Sequence, residues 1–401
     1  MPLSVPNTIL LVWLLVAMTA PPGFLLLALL WRRTAKSFQP ADPVFPPLSV
    51  IKPIRGTYAE LLGNLASTLT TGYPGAIELL CCVEDEHDSA AGTVRALQTQ
   101  FPEADIRLIE SHGREARFGK HANMLAGYAA SKYDTVVFSD ADVRLDPGIL
   151  NELIPPLEHP HLGGATAVFF QTDRPGWGSA LMASFVAAYG YSPNLAARQL
   201  RMLPNAIGGL MAYRKSLLEE LGGLEQIIGD KISDDGALGV AVRATGRELY
   251  MCVQPFHCDR TEPGVRAVLA NMHRWMLMFK GQGTGAYIQM LVINPMFPLG
   301  VLTLRLVAGG SSLPARAIGE LWLLVILWEI VWGLATVAIC APKPRNVWAW
   351  GVGRPIAELC FAGTWLAALV WPRTTWGGRR YYVPFGGRAR VLHRIAEPAA
   401  R

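Results

Sequence analysis

Not one charged side chain occurs from Met1 to Trp31. Within that stretch Thr8 to Trp31 exceeds the roughly 20 residues a helix needs to cross a bilayer, despite Pro21, Pro22 and Gly23. A chain with such a segment has to arrange its remaining mass beside lipid. A cleaved secretory signal is the competing reading, but it would carry a basic region ahead of the apolar core, and no Lys or Arg precedes this one. Arg32, Arg33 and Lys36 follow at once, which by the positive-inside rule predicts the rest of the chain on the cytoplasmic side, most simply of a bacterial inner membrane. Composition agrees, since 51% hydrophobic and 17% charged residues over a 401-residue chain are too apolar for a soluble enzyme. The six cysteines (Cys81, Cys82, Cys252, Cys258, Cys340 and Cys360) form no CxxC and no framework spacing, as expected of reduced thiols. A formal charge of +5, with arginines gathered in the last 30 residues, leaves no nucleic-acid footprint and fits a face toward anionic headgroups.

Beyond a linker containing Pro40, Pro43, Pro46 and Pro47, short apolar runs alternate with amphipathic stretches, the pattern of βαβ units in an α/β sheet. Strands are predicted at 48–51, 77–83, 106–109 and 135–138, and helices at 58–70, 90–101 and 120–130. Acidic residues then fall at strand ends, Glu84 and Asp85 after one strand and Asp140 and Asp142 after another. Ligands of open α/β sheets gather outside those carboxyl ends. No linker-like shift appears before Gln282, so the expected domains are an anchor over 1–36, a catalytic domain over 44–282, a membrane region over 286–371 and a basic tail over 372–401. Within the membrane region 321–341 and 356–371 read as spans, while Pro295 and Pro298 break 286–307 into a kinked span, a re-entrant hairpin or an interfacial helix. The arginine-rich tail belongs on the cytoplasmic side, so an even number of C-terminal crossings is expected, and two full spans with the Pro-broken segment not crossing satisfy it.

Two carboxylates spaced i and i+2 at a strand end can share one Mg²⁺ or Mn²⁺ whose open positions hold diphosphate oxygens, and Asp140 and Asp142 have that spacing. The ion would offset charge building on a departing nucleoside diphosphate. Strand-end acids also form turns and cap helices, as Asp146-Pro147 is expected to do. Ser233-Asp234-Asp235 precedes a helical stretch, so Asp234 can cap while Asp235 takes a proton from an attacking hydroxyl. Asn271-Met272-His273-Arg274-Trp275 lies on an amphipathic helix, where Arg274 can bind phosphate and Trp275 can stack on a sugar; a snorkelling Arg and an interfacial Trp are the bland reading of the same pair. Lys52, Arg55 and Lys120, at strand ends and helix starts, are candidate diphosphate contacts. His257 can add a metal ligand but is expected to fill a polar niche, and Glu329, an acid inside a span, is a functional candidate whose face can equally pack against Arg305 or Arg354.

Taken in order, Lys52-Pro53-Ile54-Arg55-Gly56, Val83-Glu84-Asp85, Gly119-Lys120-His121-Ala122-Asn123, Asp140-Ala141-Asp142, Asp234-Asp235 and Arg274-Trp275 resemble the ceramide glucosyltransferase family. The likeness runs over residues 44–285 and, more loosely, to the first span and to Trp376-Gly377-Gly378-Arg379-Arg380-Tyr381. It implies a GT-A, Rossmann-like fold with one N-terminal and two to three C-terminal transmembrane helices, and inverting transfer of a hexose, glucose first, from a UDP-sugar to ceramide. By the same likeness Asp85 is expected near the uridine and Asp140 at the metal and diphosphate. Asp235 is expected to be the base, and Arg274 with Trp275 to end the (Gln/Arg)-x-x-Arg-Trp motif. Three positions depart from the family: Asn271 replaces Gln or Arg, Asp142 completes a full DxD, and Gly119-Lys120 keeps only the lysine of Asn-Pro-Lys.

The same signatures fit enzymes that glycosylate hopanoids with UDP-GlcNAc or that act on diacylglycerol. A processive polysaccharide synthase would need more spans and a leading Gln in the motif. A silent membrane lipid-binding protein would have no use for Asp85, Asp140, Asp142, Asp235 and Arg274 together.

Overall fold

The computed structural model describes residues 4–394, apart from 113–117, 173, 203–204, 230, 263, 341–346 and 387. Tail residues 395–401, including Arg401, and Ala341 at the end of the expected span lie outside the described residues. Eight strands, β1 (Leu48–Pro53), β2 (Ile77–Val83), β3 (Asp105–Glu110), β4 (Thr135–Ser139), β5 (Val143–Arg144), β6 (Leu162–Gln171), β7 (Leu210–Arg214) and β8 (Glu248–Cys258), form one mixed sheet in the order β3-β2-β1-β4-β7-β6-β8-β5.

The first half follows from continuous apolar runs. Leu48, Val50 and Ile51 of β1 are fully buried, as strands covered on both faces require. β1 pairs in parallel with β2 on one side and β4 on the other, and β3 extends the parallel set beyond β2. The chain therefore runs outward from β1 to β3 and returns to β4, so the order reverses between β1 and β4. In such sheets that reversal opens the ligand crevice. Helix Gly119–Ala130 makes the return and lies close on the sheet because of Gly127, where a Cβ would come within 2.6 Å of Cys82 Sγ and Ile51 Cγ2. The expected helix over 58–70 is shorter, Leu61–Leu69, because residues 58–60 form a turn.

In the second half β7 runs antiparallel to β4 and β6, while β6 pairs in parallel with β8. The amino end of β7 and the carboxyl ends of β4, β6 and β8 thus share one edge. β8 extends well past its apolar start. A register shift opposite Ala167 to Phe169 absorbs Val253, Gln254 and Pro255, and Glu152 accepts the Val253 and Gln254 N–H groups at 2.6 and 2.9 Å.

The first span is a continuous helix, Val5–Thr34. Leu10, Leu14, Ala17, Pro21, Leu25 and Ala28 recur at helical spacing on the face packed against protein, while Ile9, Val12, Leu15 and Leu26 are exposed, as lipid contact requires. Trp31 docks its inner end by donating from Nε1 to Met251 O of β8 at 2.9 Å, with the Arg198 guanidinium 4.6 Å over its ring. Ala315–Cys340 is the second helix long and apolar enough to cross a membrane. Tyr287–Ile293 and Met296–Val307 form a pair bent by 74° that passes the same test if taken as one span. The break falls at Asn294-Pro295, whereas Pro298 sits in the first turn of its helix, where no N–H is needed.

The expected span over 356–371 is a helix, Arg354–Val370, of 17 residues, about 25 Å at 1.5 Å each, at the lower limit of length for a crossing. Arg354 near its start is buried against Glu329, Nε to Oε2 2.6 Å, and Glu358 accepts from Asn294 at the bend at 2.7 Å. Of the two partners expected for Glu329, Arg354 is therefore the one engaged, while Arg305 donates to Asn7 at 3.0 Å. Asn7 also donates to Ser311 and Ser312, so the start of the first span and the turn after Val307 meet at one end.

The tail is folded as well. β9 (Arg373–Trp376), β10 (Arg379–Tyr382) and β11 (Arg390–Arg394) form a second, antiparallel sheet. Gly377 and Gly378, with φ of 55° and 69°, make the two-residue turn between β9 and β10, a conformation that favours glycine at both positions.

Candidate active site

Asp140 leaves the carboxyl end of β4, and its N–H donates to Gly209 O at the amino end of β7, 3.1 Å. The tight turn through Ala141 and Asp142 is held from below by Lys52. Its buried ammonium donates to Ser139 Oγ, Asp140 O and Val143 O at 3.0, 3.2 and 3.1 Å. Burial lowers the Lys52 pKa to about 8 even with Cys81, Asp140 and Asp142 nearby. Lys52 was expected to touch diphosphate. Its three protons are committed to the turn and the residue is fully buried, so it shapes the acidic loop from beneath.

Lys120, in the first turn of helix Gly119–Ala130, reaches across the crevice. Its Nζ lies 2.7 Å from Asp140 Oδ1 and 3.1 Å from Asp234 Oδ2. Burial works against the ammonium, yet the two carboxylates hold its pKa well above the ordinary lysine value. Asp234 responds in the opposite sense: burial would raise its pKa, but Lys120 and then His121 hold it below the carboxylate range. Asp140 is raised, first by burial and then, against Lys120, by Asp142 and Asp234.

Asp235 takes a different position from Asp234. Ser233 is the helix cap, accepting from Gly236 N at 3.0 Å, so the cap expected of Asp234 falls one residue earlier. Asp235 Oδ1 receives the Ser233 hydroxyl and the Gly236 N–H, and Oδ2 receives the Gly208 N–H at 3.1 Å. The Gly208-Gly209 turn leads into β7 beside Asp140, which brings Asp235 to the same crevice. Burial, and next the neighbouring Asp234 charge, raise the Asp235 pKa above the ordinary carboxylate value.

Arg274 lies on helix Val265–Gln282. It donates to Asn271 Oδ1 one turn earlier, so the shorter side chain at the motif's departing position steadies the guanidinium. Burial lowers its pKa, opposed by Asp142 and Asp140, which places Arg274 in the field of the acidic turn. The Trp275 ring packs on Phe185 with centroids 5.5 Å apart, against the same apolar cluster that Trp376 borders. Asp85 is exposed at the end of β2, accepting from His87 N at 2.9 Å. It stands two strands from β4, about 10 Å at the spacing of neighbouring strands.

Among the described residues no group of three or more His, Cys, Asp or Glu side chains converges on one point. Magnesium is ordinarily held by one or two carboxylates together with substrate phosphates. Asp142 has no cation paired with it among the described residues, and Asp140 engages Lys120 through Oδ1, so the two acids fit that donor set. His257 faces Asp146, Nδ1 to Oδ2 2.9 Å, and fills a polar niche as expected.

Sequence reasoning missed Asp259 altogether and gave Trp376 no place at the site. Asp259 donates its N–H to Asp142 O at 2.7 Å, and its carboxylate accepts from Arg174 at 2.9 and 2.6 Å. Asp259 follows the carboxyl end of β8, so the strand-end rule finds it once that strand is known to run to Cys258. Trp376 lies under the Arg274 guanidinium at 5.0 Å; in the sequence it marks only the start of the family-like segment Trp376 to Tyr381, with no role at the site attached.

The family model described as Glycosyl transferase family 21 matches residues 11–389. Ceramide glucosyltransferase 1 of Caenorhabditis elegans is 24% identical over 363 residues, 87% of this chain and 74% of that protein. Ceramide glucosyltransferase of Komagataella phaffii is 31% identical over 140 residues, 34% of this chain and 27% of that protein. Among solved structures, the mannosyltransferase PcManGT from Pyrobaculum calidifontis in complex with GDP-Man and Mn²⁺ is 17% identical with a TM-score of 0.49, covering 88% of this chain and 99% of that one.

Proposed function

The chain belongs to glycosyl transferase family 21, and on that premise we propose that it transfers glucose from UDP-glucose to a hydroxyl of ceramide with inversion at the anomeric carbon. The observation that carries the proposal is the crevice at the β1/β4 reversal, where Lys120 ties Asp140 to Asp234 and the adjacent Asp235 is fixed against Gly208. The names of the relatives support ceramide as acceptor and glucose as sugar.

In this reading Asp85 meets the uridine end of the donor, and Lys120 and Arg274 face the diphosphate. A divalent ion held by Asp140 and Asp142 would supply charge neutralisation on the leaving diphosphate. The acceptor hydroxyl forms the new bond to the anomeric carbon as the bond to the diphosphate oxygen breaks, and its proton passes to Asp235. Oδ2 receives one N–H and keeps a lone pair for that proton. Ser233 and the Gly208 and Gly236 N–H groups fix the carboxylate direction throughout.

The protein is read as integral to the bacterial inner membrane, with the crevice on the cytoplasmic side next to Arg32 and Arg33. Taking the bent pair as one crossing gives two crossings after the catalytic domain, which returns the tail to the crevice side. The deciding experiment offers purified full-length protein radiolabelled UDP-glucose, UDP-galactose and UDP-GlcNAc with ceramide, diacylglycerol and a hopanoid. Glucosylceramide is the expected product. Transfer to diacylglycerol or hopanoid alone would replace the acceptor, and no transfer with any pair would overturn the enzyme reading.

A further inference from the structure

The C-terminal sheet touches three walls of the crevice at once. At the first wall, Arg55, in the loop after β1, donates to Gly377 O in the β9–β10 turn. At the second, Tyr381 of β10 stacks on Phe118, the residue just before the Lys120 helix, with centroids 5.0 Å apart and planes 27° apart, and Trp376 lies 6.2 Å from the same ring. At the third, Trp376 sits beneath Arg274, and Gly386 N donates to Lys280 O of the Arg274 helix at 3.0 Å. Tyr381 and Val383 are buried in this seam. An arginine-rich tail serving only to meet headgroups would need none of these contacts.

Guanidinium stacking on an indole is directional. It leaves the edge of the guanidinium free for hydrogen bonding while the face is held by the ring. Arg274 is thus fixed from two sides, by Asn271 Oδ1 at its edge and by Trp376 at its face, and the field of Asp140 and Asp142 reaches it from the crevice.

Resting on the glycosyltransferase reading above, we infer that the C-terminal sheet is a wall of the donor site and that Trp376 is a positioning residue, its indole holding Arg274 toward the diphosphate of the bound nucleotide sugar. A tryptophan that only packed the seam would affect stability and leave donor binding alone.

The test uses full-length protein in detergent with UDP-glucose and a short-chain ceramide. Trp376→Ala is expected to raise both the donor KM and the UDP Kd about tenfold, equivalent to about 1.4 kcal/mol, with the ceramide KM within about twofold of wild type. Trp376→Phe, which keeps an aromatic face, is expected to recover most of that loss. Wild-type donor KM and UDP Kd in Trp376→Ala, or equal losses in the Ala and Phe variants, would overturn the inference. Should Trp376→Ala fail to fold, hydrogen exchange of the wild type decides: UDP should slow exchange over 373–382 as well as 265–282, and an unchanged tail overturns it. Wild-type protein that transfers sugar while these readouts stay flat refutes the inference alone. Wild-type protein that neither binds UDP nor transfers any sugar refutes the function and the inference with it.

Discussion

Replacing Lys120 by methionine strands the carboxylate of Asp234. The ammonium lies 2.7 Å from Asp140 and 3.1 Å from Asp234, and Asp234 is only 3% exposed. Its next neighbour, His121 at 4.0 Å, is held neutral near pH 7 because burial lowers its pKa to about 4. Removing one partner of a buried pair costs about 3–5 kcal/mol. The Asp140 side chain is 34% exposed, so water screens its share and the lower end, about 3 kcal/mol, is expected. In a domain of this size each kcal/mol moves the midpoint by about 2–4 °C, which predicts a drop of roughly 6–12 °C in thermal unfolding in detergent at fixed scan rate. The pH dependence gives the sign. In the wild type Asp234 is held below its ordinary value, so the pair's contribution is full above about pH 3.9 and is lost as the pH falls below it. In Lys120→Met the Asp234 pKa is raised instead. The penalty is then full at high pH and shrinks as falling pH protonates the stranded acid. The gap to wild type should therefore narrow between pH 8 and pH 5, and adding Asp234→Asn should recover about 2 kcal/mol. A midpoint within 1 °C of wild type, or a gap that widens toward pH 5, would refute the reasoning.

The His121 ring is fully buried, and among the described residues neither of its nitrogens has a hydrogen-bond partner; burial lowers its pKa, so the unfolded chain binds a proton that the folded one rejects. Wild-type stability should fall from about pH 6.5 toward pH 4 by roughly 3 kcal/mol from this residue, and His121→Leu should flatten that slope; parallel midpoint-against-pH curves would contradict it. Arg274→Lys is expected to weaken UDP binding several-fold with little change in midpoint, since an ammonium cannot reproduce a guanidinium held at both edge and face. Trp275→Ala should do the reverse, losing about 2 kcal/mol of stability through Phe185 with donor KM retained, and calorimetry beside thermal unfolding separates the two.

The parallel half of the sheet was legible because its signals are local. Apolar runs at 48–51, 77–83 and 135–138 reappear as β1, β2 and β4, and the acids after β4 fall where the strand ends. Lys120 was legible as a cation at a helix start, though not as the bridge between Asp140 and Asp234, which lie 20 and 114 residues away in sequence. Lys52 read as a phosphate contact because sequence cannot tell a buried lysine from one at the rim. β8 was not legible as a strand running to Cys258, because only its neighbour's register shift and the Glu152 carboxylate make Pro255 tolerable in the sheet. The tail's arginines read as a topology signal, whereas the docking of Gly377 on Arg55 joins residues 322 positions apart. The final helix was legible from its apolar run, but not the burial of Arg354 near its start against Glu329.

If Asp235 takes the acceptor's proton in a crevice that binds the donor without it, Asp235→Asn separates the two steps when turnover and UDP affinity are measured side by side with radiolabelled UDP-glucose and ceramide. Turnover is expected to fall by about 10³-fold, the range of a lost general base, with UDP Kd within about threefold of wild type. Turnover within tenfold of wild type would contradict it.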